Sequence, residues 1–434
     1  MKISVIGGTR GLGKWIAEFL RNRDFEVCIT GRDRITGEKV SKKLDVEYSP
    51  NNVKTASESD VVIVSVPINV TNSVIEEIAP VMKSGSLMMD VTSVKEGPTK
   101  TMQRFVPEGV EFLPSHPMFG PRIRTLDGQV VVLTPINKGK WYNKVINFLK
   151  NENSKVLITT PENHDKMMSV VQGLTHFAYI NIASTIESLK VDIKESRKFA
   201  SPIYSLMVDM IARIVAQNPY LAYSIQTENK YNKNTHAKFL TNLKELKKII
   251  DDEDQEKFVK TMSNAAKHLD DLEASLGRSD KAISALTEEI RILKESIGSE
   301  VGLRHVYSGT VHCGILKEVS PDEVMLVKKN NAIKLKLSNV EILNKDELSE
   351  WKIENYPKKY FDVSAVFPKN CNPEFIAGTI GNIDDVVSAH VIDIYKGIQI
   401  APDMISITFR YEVINKNARR TVEELLTGFG AIIR

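Results

Sequence analysis

The sequence predicts a doubly wound α/β domain, then an all-helical domain, then a small β segment and a βαββαβ module. Three observations carry that reading. Apolar runs of strand length alternate with helix-forming stretches from the start of the chain to about residue 155, and the first run breaks into a glycine-rich turn. From about residue 161 to residue 277 the strand signal disappears and apolar residues fall at helical spacing. After residue 302 short, closely spaced strand patterns return.

The opening segment, Ile3-Ser4-Val5-Ile6-Gly7-Gly8-Thr9-Arg10-Gly11-Leu12-Gly13-Lys14, has the form of a strand, a tight turn and a helix start. Glycines in such a turn let the backbone approach a pyrophosphate, and the helix start supplies free N–H groups and the positive end of its dipole. That is the entry to a dinucleotide-binding domain of Rossmann type. Between Gly8 and Gly13 the fingerprint G-x-G-x-x-G carries Arg10 at its middle glycine, with Gly11 one place later, so the run alone also fits an ordinary glycine-rich turn. The next apolar run, residues 25–30, ends where the second strand of this fold should end. An NAD site places an acidic residue there; here Thr30-Gly31-Arg32 follows, then Arg34. With no carboxylate at the strand tip and a guanidinium able to grip a phosphate bidentately, the expected cofactor is NADP. Arg10 and Arg32 are expected near its 2′-phosphate. Gly7, Gly8, Thr9, Gly11, Leu12 and Gly13 are further candidate contacts, with Ser65, Val66 and Pro67 at the end of the run 60–67, where ligands gather on such a sheet.

Runs at 85–91, 110–113 and 129–134 supply further strands. In the helical region Met207, Met210, Ile211, Ile214 and Val215 mark one apolar stripe, and Asn218-Pro219 and Gly277 are read as helix breaks. These stripes exceed what a lone helix pair can bury, so the helices pack on one another or on a second subunit. A connecting helix is expected over 279–297. Four strands at 309–316, 323–327, 333–337 and 340–343 suggest a small SH3-like or Sm-like barrel, or a β appendage on a neighbour. From Tyr360 the order strand, helix, two long strands, helix, short terminal strand is that of a ferredoxin-like module. The expected domains are 1–158 (NADP-binding), 159–278 (helical, substrate and dimerisation), 279–300 (linking helix), 301–346 (barrel-like β) and 358–434 (ferredoxin-like).

A formal charge of +3 over 434 residues gives no global basic field for nucleic acid or membrane. Cys28, Cys313 and Cys371 lack metal or disulfide spacing, which suits a reducing compartment, and His312 beside Cys313 reads as ordinary strand. No metal is expected. No apolar stretch approaches twenty residues and no signal-peptide layout opens the chain, so a cytoplasmic protein is expected.

Three segments could carry chemistry. Asp90-Val91-Thr92-Ser93-Val94-Lys95 is a polar turn at a strand's carboxyl end, and it equally fits a turn capping the next helix. Ser115-His116-Pro117-Met118-Phe119-Gly120-Pro121 fixes one imidazole in a rigid loop on the cofactor side, a plausible general base. In the segment 164–177, helical spacing would set Ser169, Gln172 and His176 on one face, polar groups in need of partners.

Together with the glycine turn, Ser201-Pro202-Ile203-Tyr204 and Met210-Ile211-Ala212-Arg213, these segments resemble the prephenate dehydrogenase family of the tyrosine pathway over roughly residues 1–277. The resemblance implies oxidative decarboxylation of prephenate to 4-hydroxyphenylpyruvate with hydride transfer to NADP, in a homodimer joined through the helical domain. It implies that His116 takes the proton of the ring hydroxyl and that Ser93 orients that hydroxyl and the imidazole. Arg213 would bind a substrate carboxylate, with Gln172 and His176 lining the pocket. An imidazole with the ordinary pKa near 6.5 suits a base at neutral pH.

Some family members carry a second arginine where Ser205 stands here, or a lysine near Asp209. Lys95 or a partner-subunit residue is the expected substitute, and Asp209 could instead favour the ammonium of arogenate. Arogenate dehydrogenase and another NADP oxidoreductase, such as a deazaflavin reductase, are therefore the enzymatic alternatives. The C-terminal module resembles, more faintly, the anticodon-binding domain of phenylalanyl-tRNA synthetases through Asp393-Ile394-Tyr395-Lys396-Gly397, Pro402 and Ser406-Ile407-Thr408-Phe409-Arg410. Amino-acid-sensing ACT modules share its strand order. Residues 351–434 hold ten Lys/Arg against ten Asp/Glu, so RNA contact is disfavoured and a structural or regulatory role preferred. A non-catalytic NADP-binding regulator with C-terminal contact modules is the alternative of another class.

Overall fold

Six strands form one parallel sheet in the order β3-β2-β1-β4-β5-β6. In chain order the elements are β1 (Lys2–Ile6), α1 (Gly11–Arg21), β2 (Glu26–Thr30), α2 (Arg34–Leu44), β3 (Glu47–Ser49), α3 (Asn52–Glu58), β4 (Val61–Val64), α4 (Ile68–Ile78), β5 (Leu87–Asp90), α5 (Glu96–Phe105) and β6 (Glu111–Phe112). β4 is apolar without interruption because both its faces are buried, whereas β1 carries a buried Ser4 whose hydroxyl bonds that of Ser59. Val61 and Ile63 join the core under α1, with Phe19 and Leu20, whereas Val62 and Val64 join the core under α4 and α5, with Ile75, Ile78 and Met102. The order reverses between β1 and β4, which opens a crevice at the strands' carboxyl ends. β3, three residues long and polar, had no sequence signal of its own.

The run 129–134 does not extend this sheet. β7 (Ser115–Pro117), β8 (Val130–Leu133) and β9 (Lys155–Ile158), with α6 (Lys140–Asn151) between the last two, make a separate three-stranded sheet. β7 runs antiparallel to β8, which sets His116 opposite Val132.

The computed structural model describes all residues except Asp270, Lys329, Asn330 and Ile398, and the side chains of all described residues except Leu286 and Thr287. It divides into two units, residues 1–269 and 270–434. The first ends in helices: α7 (Pro161–Met168), a π-helical turn (Ser169–Leu174), α8 (Thr175–Ser188), α9 (Ile193–Arg197), α10 (Pro202–Val215), α11 (Pro219–Thr227), α12 (Asn232–Asp251) and α13 (Gln255–His268). α7, α10 and α11 each begin with a capping Thr160, Ser201 or Asn218 followed by proline, the start a missing N–H suits best.

The second unit opens with α14 (Leu272–Glu295), longer than expected. Gly277 lies inside it and breaks nothing: a helix-interior glycine costs only about 1 kcal/mol. Leu293 of α14 is fully buried in the core of the following sheet. That sheet has five strands, β10 (Glu300–His305), β11 (Val311–Val319), β12 (Glu323–Lys328), β13 (Asn331–Lys336) and β14 (Val340–Ile342), in the order β13-β12-β11-β10-β14. Among the described residues no pairing joins β13 to β14. After α15 (Lys345–Asn355) come β15 (Lys359–Pro368), α16 (Pro373–Gly381), β16 (Val386–Tyr395), β17 (Met404–Val413), α17 (Ala418–Gly428) and β18 (Ile432–Ile433). Their order β16-β17-β15-β18, with every pairing antiparallel, is the ferredoxin-like arrangement.

Candidate active site

The glycine turn is built to admit a cofactor. Gly7 has φ +85°, and a Cβ there would lie 2.3 Å from the Ser65 carbonyl oxygen. A Cβ at Gly13 would meet the Gly7 carbonyl oxygen at 2.7 Å and Ser65 Oγ at 3.0 Å, so the turn, α1 and the residues after β4 pack without side chains between them. Arg10 is the N-cap of α1 but makes no side-chain cap bond, and no acidic residue occupies the first turn. The free N–H groups and dipole end thus remain available to a phosphate. Leu12 packs into the core, and Thr9 packs against Gly31, which sets Arg10 beside the 31–34 turn.

That turn corrects one expectation. A carboxylate does stand at the β2 tip: Asp33 caps α2 by accepting from Thr36 N, and Arg10 reaches it at 3.1 Å. The cap bonds and Arg10 hold its carboxyl below the usual range. Arg34 is paired with Glu38 at 2.8 Å. Arg32 is exposed, and no hydrogen bond or ion pair engages it among the described residues.

At the ends of β5 and β7 a closed circuit of hydrogen bonds surrounds His116, itself buried. Its Nδ1 lies 2.9 Å from His164 Nε2, and His164 Nδ1 lies 2.8 Å from Asp165 Oδ1. Asp165 also accepts from the backbone N–H of Lys95 (2.7 Å) and of Glu96 (2.9 Å), capping α5 from a distant segment. Asn229 Nδ2 donates to the Asp165 carbonyl at 2.7 Å. On the other side Lys95 Nζ donates to the Ser115 carbonyl at 2.6 Å, and Ser115 Oγ donates to the Asp90 carbonyl at 2.6 Å. Asp90 pairs with Lys95 and accepts from Thr92 Oγ1.

This chain of bonds constrains the proton positions. The Asp165 carboxylate only accepts, so His164 donates to it from Nδ1; a His164 with no second proton then accepts at Nε2. His116 then donates from Nδ1, leaving its own Nε2 as an acceptor. Burial first, and the Lys95 ammonium nearby, hold the His116 pKa well below the ordinary imidazole range expected from the sequence, so the ring stays neutral.

The other expected site residues are less closely joined. Ser93 is half-buried and no described hydrogen bond ties it to His116, whose partner is His164. Ser169, Gln172 and the residues between them form a π-helical turn where α-helical spacing was expected, and Ser169 Oγ lies 3.1 Å from Thr235 Oγ1 of α12. His176 is half-buried, burial lowers its pKa, and its Nδ1 has no partner among the described residues. Arg213 is exposed on α10. Lys95 cannot serve as the missing substrate cation: it is fully buried and its three protons go to Asp90, Thr92 and Ser115. Asp209 is paired with Arg197 at 2.5 Å. The sequence reading passed over His164 and Asp165 as functional groups. The available signal was an adjacent His-Asp pair in the first turns of a helix opened by Thr160-Pro161.

Residues 16–158 match the family profile for the prephenate dehydrogenase nucleotide-binding domain, and residues 160–264 match that for the prephenate dehydrogenase dimerization domain. The chain belongs to the prephenate dehydrogenase family. It is 47% identical over 429 residues to a probable arogenate/prephenate dehydrogenase of Methanocaldococcus jannaschii, covering 98% of this chain and 95% of that protein. To the T-protein of Haemophilus influenzae it is 30% identical over 232 residues, which cover 53% of this chain and 57% of that one. The crystal structure of A. aeolicus prephenate dehydrogenase with hydroxyphenyl propionate and NAD+ shares the fold at a TM-score of 0.52 and 20% identity, over 62% of this chain and 98% of that one. The enzyme is thus an oxidoreductase of the prephenate/arogenate dehydrogenase type that uses a nicotinamide cofactor in a Rossmann-type domain. The Methanocaldococcus alignment runs through the second unit, beyond residue 264 where the family profiles end. Among the described residues no helix is long and apolar enough to cross a membrane.

Proposed function

We propose that the enzyme is an NADP-dependent prephenate dehydrogenase in which His116 is the base. The observation that supports this reading is the His116–His164–Asp165 chain around a buried, neutral ring, which with an uncharged His164 frees His116 Nε2 to accept a proton. NADP, held by the glycine turn with Arg10 and Arg32, would supply the hydride acceptor for the ring carbon that bears the hydroxyl. His116 Nε2 takes the hydroxyl proton as that carbon becomes a carbonyl, and loss of the ring carboxylate as carbon dioxide restores aromaticity. Ser93 orients the hydroxyl, Arg213 holds a substrate carboxylate, and Gln172 and His176 line the pocket. A positioned base contributes on the order of 10²–10⁴-fold.

NADP fits better than NAD because Arg32 is unengaged at the β2 tip, and the acidic residue there, Asp33, is already occupied by the α2 cap and Arg10. A 2′-phosphate would receive both guanidinium groups. Prephenate fits better than arogenate because Asp209, the carboxylate that could seat an ammonium, is held by Arg197. A homodimer through the helices accounts for their exposed apolar surface: α8 buries none of its residues, and Phe199, Ile203 and Tyr220 are each at least 75% exposed. Purified enzyme mixed with NADP and prephenate should reduce the cofactor, with arogenate and NAD each turned over several-fold less efficiently. Reduction with neither substrate would end the reading.

A further inference from the structure

We infer that Lys95 is a positioning residue for the reaction, holding the peptide that carries His116 and never touching substrate. The inference rests on the dehydrogenase reading above and concerns a side chain outside the proton chain itself. Lys95 ends the turn after β5 and is completely buried, as is its partner Asp90. Two of its bonds, to Asp90 and Thr92, stay within its own turn. The third leaves it, to the carbonyl of Ser115 at 2.6 Å, the peptide group joined directly to His116. The same turn offers its backbone N–H groups at Lys95 and Glu96 to Asp165, which orients His164.

The turn therefore grips the base twice, at the backbone through Lys95 Nζ and at the ring through Asp165 and His164. A buried Lys–Asp pair adds little to stability by itself, since desolvation offsets most of its attraction. Its value here is directional. β7 is three residues long, and its partner β8 supplies the ladder on one side alone. Without Lys95 the Ser115–His116 peptide can rock, and a displacement of about 1 Å at a reacting group costs roughly 10²-fold in rate. A second effect follows from charge. The groups facing His116 are His164 from α7 and Lys95, with Asp90 behind it, from the turn; the Lys95 ammonium helps keep the imidazole unprotonated.

Two variants of the full chain test this: Lys95→Met, and Lys95→Met combined with Asp90→Asn, which leaves no orphan charge. With prephenate and NADP, both should lose about 10–100-fold in kcat while KM for either ligand stays within about threefold. The acid limb of the kcat/KM profile should move to higher pH, and the double variant should regain thermal stability without regaining kcat. Imidazole 15N NMR should show His116 protonated at Nδ1 in the parent and mixed in both variants. Unchanged kcat and NMR in the double variant would overturn the inference, and so would a KM raised more than tenfold at constant kcat, which marks a substrate contact. A parent inactive on prephenate and arogenate, with the NMR change still present, would sink the dehydrogenase reading and leave the positioning role standing.

Discussion

Replacing Asp165 with asparagine tests the proton chain at its far end. In the parent, Asp165 Oδ1 accepts from His164 Nδ1 and Lys95 N, and Oδ2 accepts from Glu96 N. An asparagine has one acceptor oxygen for these donors. If its NH2 faces His164, that ring must present a lone pair at Nδ1 and carry its proton on Nε2. His116 then has to accept at Nδ1, and its own proton moves to Nε2, the atom that should take the substrate proton. If the NH2 faces Glu96 instead, a buried backbone N–H loses its acceptor, at about 1–3 kcal/mol. The first arrangement disables the base: a wrong-tautomer histidine in a comparable relay costs up to about 10⁴-fold. The expected result is a fall in kcat of about 10²–10⁴-fold with the KM for NADP unchanged, because the glycine turn is untouched. Steady-state assays of cofactor reduction with prephenate, run across pH, measure it. A kcat within about threefold of the parent would refute the relay.

Further expectations follow from the same geometry. His116 has its pKa depressed from 6.5 on folding, so the unfolded chain binds the extra proton first as pH falls. Its contribution to stability is therefore complete above about pH 6.5 and is lost as acidification proceeds toward the depressed value; His176 and His236 act in the same direction. Denaturant unfolding at a series of pH values should show this, with a flatter profile in His116→Asn. The acid limb of kcat/KM should likewise lie below pH 6.5. Arg32→Ala should raise KM for NADP by about 10–100-fold and leave that for NAD unchanged, since a charge-assisted phosphate contact is removed; equal effects on both cofactors would place the 2′-phosphate elsewhere. Arg197→Gln should free Asp209 and raise the arogenate-to-prephenate ratio of kcat/KM severalfold, whereas an unchanged ratio would show that Asp209 lies outside substrate selection.

The α/β domain was legible because its central strands are buried on both faces and so are mainly apolar, most plainly in Val61-Val62-Ile63-Val64. β3 escaped because three partly polar residues hold it to the edge through pairing with β2, a tertiary contact. Residues 129–134 were recognised as a strand, but which sheet they join depends on β7, whose Ser115-His116-Pro117 has no strand pattern. His116 stood out through its prolines. His164 and Asp165 did not, because their meaning comes from bonds to residues 48 and 70 positions away. The π-helical turn was invisible for a related reason: helical periodicity does not separate an α from a π register over six residues, and the contact of Ser169 with Thr235 of α12 shows which way the chain turns. Gly277 misled because a glycine marks a helix end only when the backbone there leaves the helix, and here it does not.

The most direct trial of the central claim is a paired measurement on His116→Asn: NADP affinity by direct titration and turnover of prephenate by cofactor absorbance. Retained affinity with turnover reduced by at least about 10²-fold is the outcome expected of a buried imidazole acting as base. A variant that binds NADP and still oxidises prephenate at nearly the parent rate would contradict it.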